Sequence, residues 1–300
     1  MSNKTDNATN MNVLSLFNGI SAMHLALDHA GIEVGQVYYA EIDKYANKVT
    51  EHHYPQDIQL GDVTKWREWD IDWASIGLVG AGFPCQAWSV AGKQLGDKDE
   101  RGMLFWTTLD IIAHVLKHNP NAKFLMENVK MKKDFEEYIT HHTTQALGYV
   151  EKTLINSALV SAQNRNRYYW TNFVVTQPKD EGILLKDIIT DTTDKSLILS
   201  EKAHAYLNRN SEKWSNGKKR IDIYNNELSG KSLCLTANMY KGIPYGVVLE
   251  LNRRLSVNEC ARLQTFPDNW CSMVSNTQAY KCYGNAWTVK VIAHILKGAF

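Results

Sequence analysis

A cysteine at the end of an apolar run is the first residue that could do chemistry. Cys85 stands in Gly82-Phe83-Pro84-Cys85-Gln86, directly after the apolar residues 76–81. The carboxyl end of a buried strand is where open α/β sheets bind ligands. Thiols become nucleophilic thiolates near neutral pH beside positive charge or a helix N-terminus. A buried filler is the commoner role for one cysteine, but the Gly-rich, charged stretch at residues 87–102 is typical of a mobile lid.

A glutamate and two arginines are expected at the same edge of the sheet. Glu127 follows the apolar residues 124–126 and, flanked by apolar side chains, could carry a proton near neutral pH; a helix-capping carboxylate is the alternative. In Gln163-Asn164-Arg165-Asn166-Arg167, an extended backbone would put Gln163, Arg165 and Arg167 on one face. Two guanidinium groups there would form a fork for a phosphate or carboxylate, and the alternative is a charged edge strand that resists aggregation.

Residues nearer the N-terminus have the order of a nucleoside site. Gly19 lies between a predicted strand and a predicted helix, Glu41 ends the next strand, and Asp62 follows the third extended segment. A carboxylate at the position of Glu41 can accept hydrogen bonds from ribose hydroxyls. Ser21 stands where a dinucleotide-binding loop has a second glycine, so a nucleoside without pyrophosphate, such as S-adenosylmethionine, fits better. A plain strand–turn–helix with a capping Ser21 is the alternative.

The elements that must position these residues alternate along the chain. Apolar runs predict strands at residues 12–17, 37–40, 76–81, 123–126, 149–155 and 168–175. Helical spacing predicts helices at residues 21–30, 44–53, 103–117, 133–147, 256–263 and 289–296. Gly31 and Asn119-Pro120 should end two of these helices. The alternation predicts an α/β fold with a mostly parallel sheet covered by helices on both faces.

Composition excludes several other classes of protein. The 300 residues include 33 Lys+Arg and 32 Asp+Glu, a net charge of +1, which excludes a histone-type polyanion binder but not a local basic face. No apolar run is long enough to span a membrane. Residues 1–11 are polar, which predicts a disordered terminus without a secretory signal. The 5 cysteines are widely spaced, which argues against a disulfide framework and favours a reducing cytoplasm.

The stretch from residue 177 to residue 252 has a different character. It has poor periodicity, is rich in Lys, Asn, Ser and Asp, and contains Lys213, Lys218, Lys219 and Arg220. It predicts a small second domain, or a long insertion, between residues 12–176 and 253–300.

Taken in order, these segments resemble the C5-cytosine DNA methyltransferases over nearly the whole chain. The matching stretches are LFNGIS, AEID, GDV, GFPCQAWSVAGKQLGDKDERGMLF, MENV, QNRNRYYW, RRLSVNECARLQTFPDNW and YGNAWTVKVI. The PCQ segment with its downstream DxRG, and the QNRNR segment, are specific, whereas FxG and ENV alone are not. The resemblance implies a Rossmann-like S-adenosylmethionine-dependent methyltransferase fold. It also implies a catalytic domain made of residues 12–176 and 253–300, and an irregular target-recognition domain at residues 177–252.

The resemblance also implies a role for individual residues. Cys85 would be the nucleophile that adds to C6 of a cytosine flipped out of duplex DNA, Glu127 would hold the ring at N3, and Arg165 and Arg167 would support the flipped base. Contacts to S-adenosylmethionine are expected from Phe17, Gly19, Ser21, Glu41, Ile42, Asp62, Val63, Pro84, Asn285 and Trp287. Contacts to DNA are expected from Gln86, Ser89, Gln163, Lys218, Lys219 and Arg220. We also expect a monomer without a metal, located in a bacterial or phage-infected cytoplasm. A cognate restriction endonuclease is the expected partner.

Two residues depart from the family pattern near the expected cofactor. Ser21 stands where a second glycine is usual, and Trp287 stands where valine is usual. The tryptophan form is similar to the de novo animal branch of the family. Residues 254–267 would organise the packing between the two domains.

Three other functions fit part of the pattern. An RNA cytosine-5 methyltransferase would share Cys85 and Glu127 and differ in substrate. A nicotinamide-dependent oxidoreductase would need the glycine that Ser21 replaces. A catalytically silent DNA-binding relative should have lost Cys85 or Glu127, and both are present. The pairs His52-His53 and His141-His142 could suggest a metal, but adjacent helical positions face apart, which favours surface histidines.

Overall fold

Seven strands form the sheet that carries the candidate residues. The computed structural model describes residues 11–84, 100–190, 194–209 and 219–300. The strands are β1 (Asn12–Leu16), β2 (Val37–Ala40), β3 (Ile58–Gln59), β4 (Ile76–Ala81), β5 (Lys123–Val129), β6 (Glu151–Asn156) and β7 (Asn166–Thr171). Their order is β3-β2-β1-β4-β5-β7-β6, and in this described sheet β7 alone runs opposite to the other six strands. This sheet confirms the predicted α/β class.

Strands β3 and β7 show why some strands differ from the sequence prediction. The two residues of β3 are both exposed, so this strand has no apolar pattern to reveal it. The last sheet strand ends at Thr171, not at residue 175. Phe173 and Val175 are buried apolar residues outside the sheet, where they pack into the hydrophobic cluster of one face. Their apolar character therefore reflects core packing and not strand pairing.

Helices cover both faces of the sheet. They are α1 (Ala22–Ala30), α2 (Lys44–His53), α3 (Glu100–His118), α4 (Lys133–Leu147), α5 (Glu201–Leu207), α6 (Ile221–Tyr224), α7 (Val257–Leu263), α8 (Asn276–Asn285) and α9 (Val289–Lys297). Side chains alternate along each strand, so Val13 and Leu78 join the cluster with α1 and α9, whereas Leu14 and Val79 join the cluster with α3 and α4. No helix in the described parts of the chain is long and apolar enough to cross a membrane.

Residues 177–252 pack closely against the helices that follow them. Leu235, Met239 and Val248 share one hydrophobic cluster with α7, α8 and α9. A Cβ at Gly284 in α8 would lie 2.1 Å from the backbone oxygen of Thr236, so only glycine allows this approach. The two-stranded ladder of β8 (Val247–Val248) and β9 (Arg253–Arg254) crosses the predicted boundary at residue 252. The division into two domains stays a prediction.

Candidate active site

An open cavity lies at the carboxyl ends of β1, β2, β4 and β5. Its volume is about 340 Å³. Most of the candidate residues line it, and they come from segments far apart in the chain: Phe17, Gly19, Glu41, Ile42, Asp62, Val63, Pro84, Glu127, Arg165, Arg167, Asn285 and Trp287. The sheet therefore brings the predicted nucleoside residues and the predicted catalytic residues to one place, as expected for parallel strand ends.

Glu41 joins two loops at one end of the cavity. Its Oε2 accepts a hydrogen bond from the Gly19 N–H, and its Oε1 accepts from the N–H groups of Ile42 and Asp43, all at 2.8 Å. Gly19 has a φ of 57°, which glycine adopts without strain. A carboxylate has about four lone-pair sites, so Glu41 can hold these loops and still accept a hydroxyl.

The loop between β1 and α1 has an unusual backbone. Besides Gly19, Phe17 and Ser21 have φ values of 55° and 64°, in the left-handed region that non-glycine residues avoid. Such a conformation costs about 1–3 kcal/mol at each residue and is concentrated at functional sites. The loop is therefore held in a strained conformation at the wall of the cavity, which favours a functional role for it.

Ser21 itself does not line this cavity. Its hydroxyl is buried, donates to Thr50 Oγ1 at 2.8 Å and accepts from Asn18 Nδ2 at 3.2 Å. Nor does the side chain cap α1, the alternative role that the sequence suggested. Ser21 instead supports the loop from behind, a position that does not fit the expected cofactor contact.

Acidic and apolar groups lie together near Glu41. Asp62 uses Oδ1 to accept from the N–H and hydroxyl of Thr64, both at 2.9 Å. Asp43 caps α2 and pairs with Lys281 Nζ at 3.0 Å. Burial opposes ionisation of Asp43, but the hydrogen bonds from Lys281 and the backbone of α2 hold its pKa below the usual value. Ile42 is 77% exposed and provides an apolar surface at the rim.

Glu127 is held on both of its oxygens. Arg167 Nε lies 2.9 Å from Oε1, and Trp287 Nε1 donates to Oε2 at 3.0 Å. The side chain of Glu127 is only 10% exposed. The sequence suggested apolar surroundings for Glu127. That prediction is wrong, because an ion pair with Arg167 and the indole N–H of Trp287 hold the carboxylate. These contacts come from residues distant in sequence, which the local pattern of β5 does not show.

Arg165 does not form a fork with Arg167. Its guanidinium is buried and donates to the backbone oxygens of Leu235 at 2.9 Å and Ala286 at 2.8 Å. Burial and the nearby charge of Arg167 lower the pKa of Arg165 below its usual value. Arg165 therefore joins residues 177–252 to the end of α8, while Arg167 faces Glu127.

Cys234 lies beside both arginines, a feature that the sequence did not suggest. Its Sγ accepts from Arg165 Nη1 at 3.4 Å and from Arg167 Nη2 at 4.0 Å. Burial alone would raise the pKa of the Cys234 thiol, but the two guanidinium groups lower it. No sequence motif marks this cysteine, because both contacts are long-range.

Gln163 is fully buried and does not lie on an open DNA-facing surface. It donates to the Leu263 oxygen at 3.1 Å and accepts from the Leu235 N–H at 2.8 Å. This position does not fit the expected DNA contact, since the amide joins residues 177–252 to α7. An isolated bridge to Ser232, instead of a regular strand, places it there.

The remaining predicted residues lie elsewhere. Cys85, Gln86, Ser89, Lys213 and Lys218 are outside the described residues. Lys219 is exposed, and Arg220 lies over the Tyr206 ring at 4.6 Å. Neither residue lines the cavity.

The surroundings of His53 differ from the sequence prediction. His53 is half-buried and stacks on Trp270 with ring centroids 3.6 Å apart, so it is not the open surface residue that the sequence suggested. Within the described part of the chain, no three His, Cys, Asp or Glu side chains are grouped to hold a metal ion.

Comparisons with known proteins place the chain in one family. The C-5 cytosine-specific DNA methylase family matches residues 11–225 and 176–300. The chain is 34% identical to the type II methyltransferase M1.ScrFI of Lactococcus lactis subsp. cremoris, over 93% of this chain and 75% of that protein. It is 33% identical to M.NlaX of Neisseria lactamica, over 94% of each chain.

Solved structures share the fold at lower sequence identity. The Entamoeba histolytica methyltransferase EhMeth has a TM-score of 0.72 at 16% identity and covers 97% of this chain and 98% of its own. The S. pombe Dnmt2 methyltransferase has a TM-score of 0.69 at 20% identity, and the match covers 96% of this chain and 97% of its own. The sheet order and these likenesses confirm the Rossmann-like methyltransferase fold. The chain therefore belongs to the C-5 cytosine-specific DNA methylase family, which makes it a DNA cytosine-5 methyltransferase and implies S-adenosylmethionine as its methyl donor.

Proposed function

We propose that the cavity at the strand ends is the site of methyl transfer, with Cys85 as nucleophile and Glu127 as the group that holds the cytosine ring. The observation that carries this proposal is the position of the Glu127 carboxylate. It lies on the same cavity as Gly19, Glu41 and Asp62, and Pro84, the neighbour of Cys85 in the chain, forms part of the wall.

The residues at the other end of the cavity fit S-adenosylmethionine. Glu41 and Asp62 offer carboxylate oxygens to ribose hydroxyls and adenine nitrogens, and the exposed side chain of Ile42 offers an apolar surface to the base. The absence of a Cβ at Gly19 lets a ligand approach the backbone closely. When bound there, S-adenosylmethionine would supply an electrophilic methyl group.

The chain's own residues prepare the cytosine. A Cys85 thiolate adds to C6 and its electron pair forms the C6–S bond, so C5 becomes nucleophilic. Glu127 holds N3, where charge changes as this bond forms, and Arg167 fixes the carboxylate. Once C5 carries the methyl group that S-adenosylmethionine would supply, a proton acceptor removes the C5 proton. The electrons of the C5–H bond then re-form the C5–C6 double bond, and the C6–S bond breaks to release the Cys85 thiolate. The target cytosine must leave the duplex stack to reach Cys85 and Glu127.

Replacing the nucleophile tests this proposal. Cys85→Ala should abolish methyl transfer and leave DNA affinity nearly unchanged. Cys260→Ala is a matched control, because Cys260 is fully buried and burial raises the pKa of its thiol. Tritiated methyl transfer measures activity, and fluorescence anisotropy measures binding. DNA carrying 5-fluorocytosine should form a denaturation-resistant adduct with wild type and Cys260→Ala only. Unchanged transfer by Cys85→Ala would refute the mechanism.

The proposal extends to the target and to the cellular context. Residues 177–252, with Lys219 and Arg220 exposed or half-exposed, would recognise the DNA sequence. The similar proteins M1.ScrFI and M.NlaX are named type II methyltransferases and come from bacteria. These names support a bacterial enzyme with a cognate restriction endonuclease as its partner. The monomeric state and the phage-infected cytoplasm stay predictions.

A further inference from the structure

We propose that Trp287 is a positioning residue for methyl transfer, acting through Glu127. This inference rests on the proposed role of Glu127 and assigns Trp287 a task beyond contact with the methyl donor. The inference is argued from the position of Trp287 on the cavity, its place at the strand ends and the contacts of its indole ring.

The indole N–H completes the support of the Glu127 carboxylate. Trp287 Nε1 donates to Oε2 at 3.0 Å, and Arg167 Nε lies 2.9 Å from Oε1. Each oxygen therefore has a strong donor, and the carboxylate plane is fixed from β7 on one side and from the turn between α8 and α9 on the other. A hydrogen bond to a charged acceptor in a poorly solvated site is stronger than one in water. Without the indole donor, the carboxylate would be held on one side only.

The indole ring is itself fixed by the strand that leads to Cys85. A Cβ at Gly82 would lie 2.7 Å from Trp287 Nε1, and a Cβ at Gly80 would lie 3.6 Å from Cη2. The ring thus rests on the bare backbone of Gly82, directly after β4, where a Cβ would collide with the indole, whereas the contact at Gly80 is an ordinary one. The pairing of Ala81 with Met126 sets the spacing of β4 and β5. Trp287 contacts both the end of β4 and the Glu127 carboxylate, so it fixes how the carboxylate is oriented relative to the segment that precedes the nucleophile.

The neighbours of Trp287 anchor its backbone. The Ala286 oxygen accepts from Arg165 Nη2 at 2.8 Å, and Thr288 Oγ1 donates to Gln264 Oε1 at 2.8 Å. Both neighbours are buried. The indole therefore projects from a rigid turn between α8 and α9, which is what a positioning residue requires.

Removing only the donor tests the role. Trp287→Phe keeps an aromatic ring and lacks the N–H, and Trp170→Phe is the matched control, because Trp170 Nε1 donates to the Thr140 hydroxyl instead. We expect Trp287→Phe to lower kcat by about tenfold, with the affinities for S-adenosylmethionine and DNA within about twofold of wild type. Trp287→His should recover part of the rate, since imidazole Nε2 can occupy the place of indole Nε1.

A double-mutant cycle separates positioning from general packing. In a Glu127→Gln background, the additional Trp287→Phe change should cause little further loss of single-turnover rate, because both changes act through one group. Additive losses, or a raised KM for S-adenosylmethionine with unchanged kcat, would overturn the positioning role. Equal losses in Trp287→Phe and Trp170→Phe would also overturn it. Absence of DNA methylation by wild type would refute the proposed function and this inference with it.

Discussion

Glu41 offers a sharp test of how the cofactor end of the cavity is held. The Glu41→Gln change keeps the size of the side chain and replaces one acceptor oxygen with a donor NH₂ group. In the structure both oxygens accept backbone N–H groups, from Gly19 on one side and from Ile42 and Asp43 on the other. Whichever way the glutamine amide turns, its NH₂ faces a donor. One side of the contact must therefore be lost.

The magnitude follows from the bonds that glutamine cannot make. A hydrogen bond to a charged group is worth about 1.5–3 kcal/mol, and the bonds that remain lose their charge assistance. We expect Glu41→Gln to lower the free energy of unfolding by about 2–4 kcal/mol. For a chain of this size, that corresponds to a fall of about 4–8 °C in Tm. Because the loop around Gly19 is released, affinity for S-adenosylmethionine should fall by about tenfold.

Two assays and one control decide the matter. Calorimetry gives the Tm and titration calorimetry gives the affinity for S-adenosylmethionine. Glu33→Gln is the control, since Glu33 is exposed on the loop after α1. If Glu41→Gln matched Glu33→Gln in both Tm and affinity, the carboxylate would not hold the two loops as described.

Three further perturbations follow from contacts elsewhere in the structure. Gly284→Ala should lower the free energy of unfolding by about 1–3 kcal/mol in urea, because its Cβ would meet backbone, whereas Gly230→Ala, with its nearest atom at 3.7 Å, should be nearly neutral; equal effects would contradict the close approach. Burial opposes ionisation of Glu259, but Arg253 and two backbone N–H groups lower its pKa. Its stabilisation is therefore complete above the unfolded value of about 4.3 and is lost as pH falls through the lower folded value. The Glu259→Gln variant should have a free energy of unfolding about 3 kcal/mol below wild type at pH 7, and this difference should shrink as the pH falls below about 4.3. A difference that does not change with pH would be inconsistent with this. Replacing Lys219 and Arg220 by alanine should reduce the salt slope of DNA binding by about 2, and an unchanged slope would assign both to a solvated loop.

Much of the fold follows from local patterns. Helices α2 and α4 and strand β4 begin and end at the predicted residues, because their apolar spacing and end signals agree. The antiparallel direction of β7 is not visible in the sequence, since direction depends on which strand it pairs with. The two exposed residues of β3 likewise follow no apolar pattern.

The candidate site likewise contains residues that local patterns predict and contacts that they do not. Residues at strand ends, such as Glu41 and Glu127, were predictable because the sheet brings strand ends together. The bond from Trp287 to Glu127 joins residues 160 positions apart, and no local pattern contains it. The sequence predicts a ligand contact for Arg165 because it shows the charge of the side chain. It does not show the backbone oxygens of Leu235 and Ala286 that accept the hydrogen bonds of the guanidinium.

One measurement tests cytosine-C5 methylation of DNA by this site most directly. Unmethylated duplex DNA is incubated with the protein and S-adenosylmethionine and then sequenced after bisulfite treatment, with Cys85→Ala in parallel. We expect cytosines in one short sequence context to resist conversion with wild type and none to resist with Cys85→Ala. Complete conversion by wild type while S-adenosylmethionine still binds, or protection that persists in Cys85→Ala, would contradict the assignment.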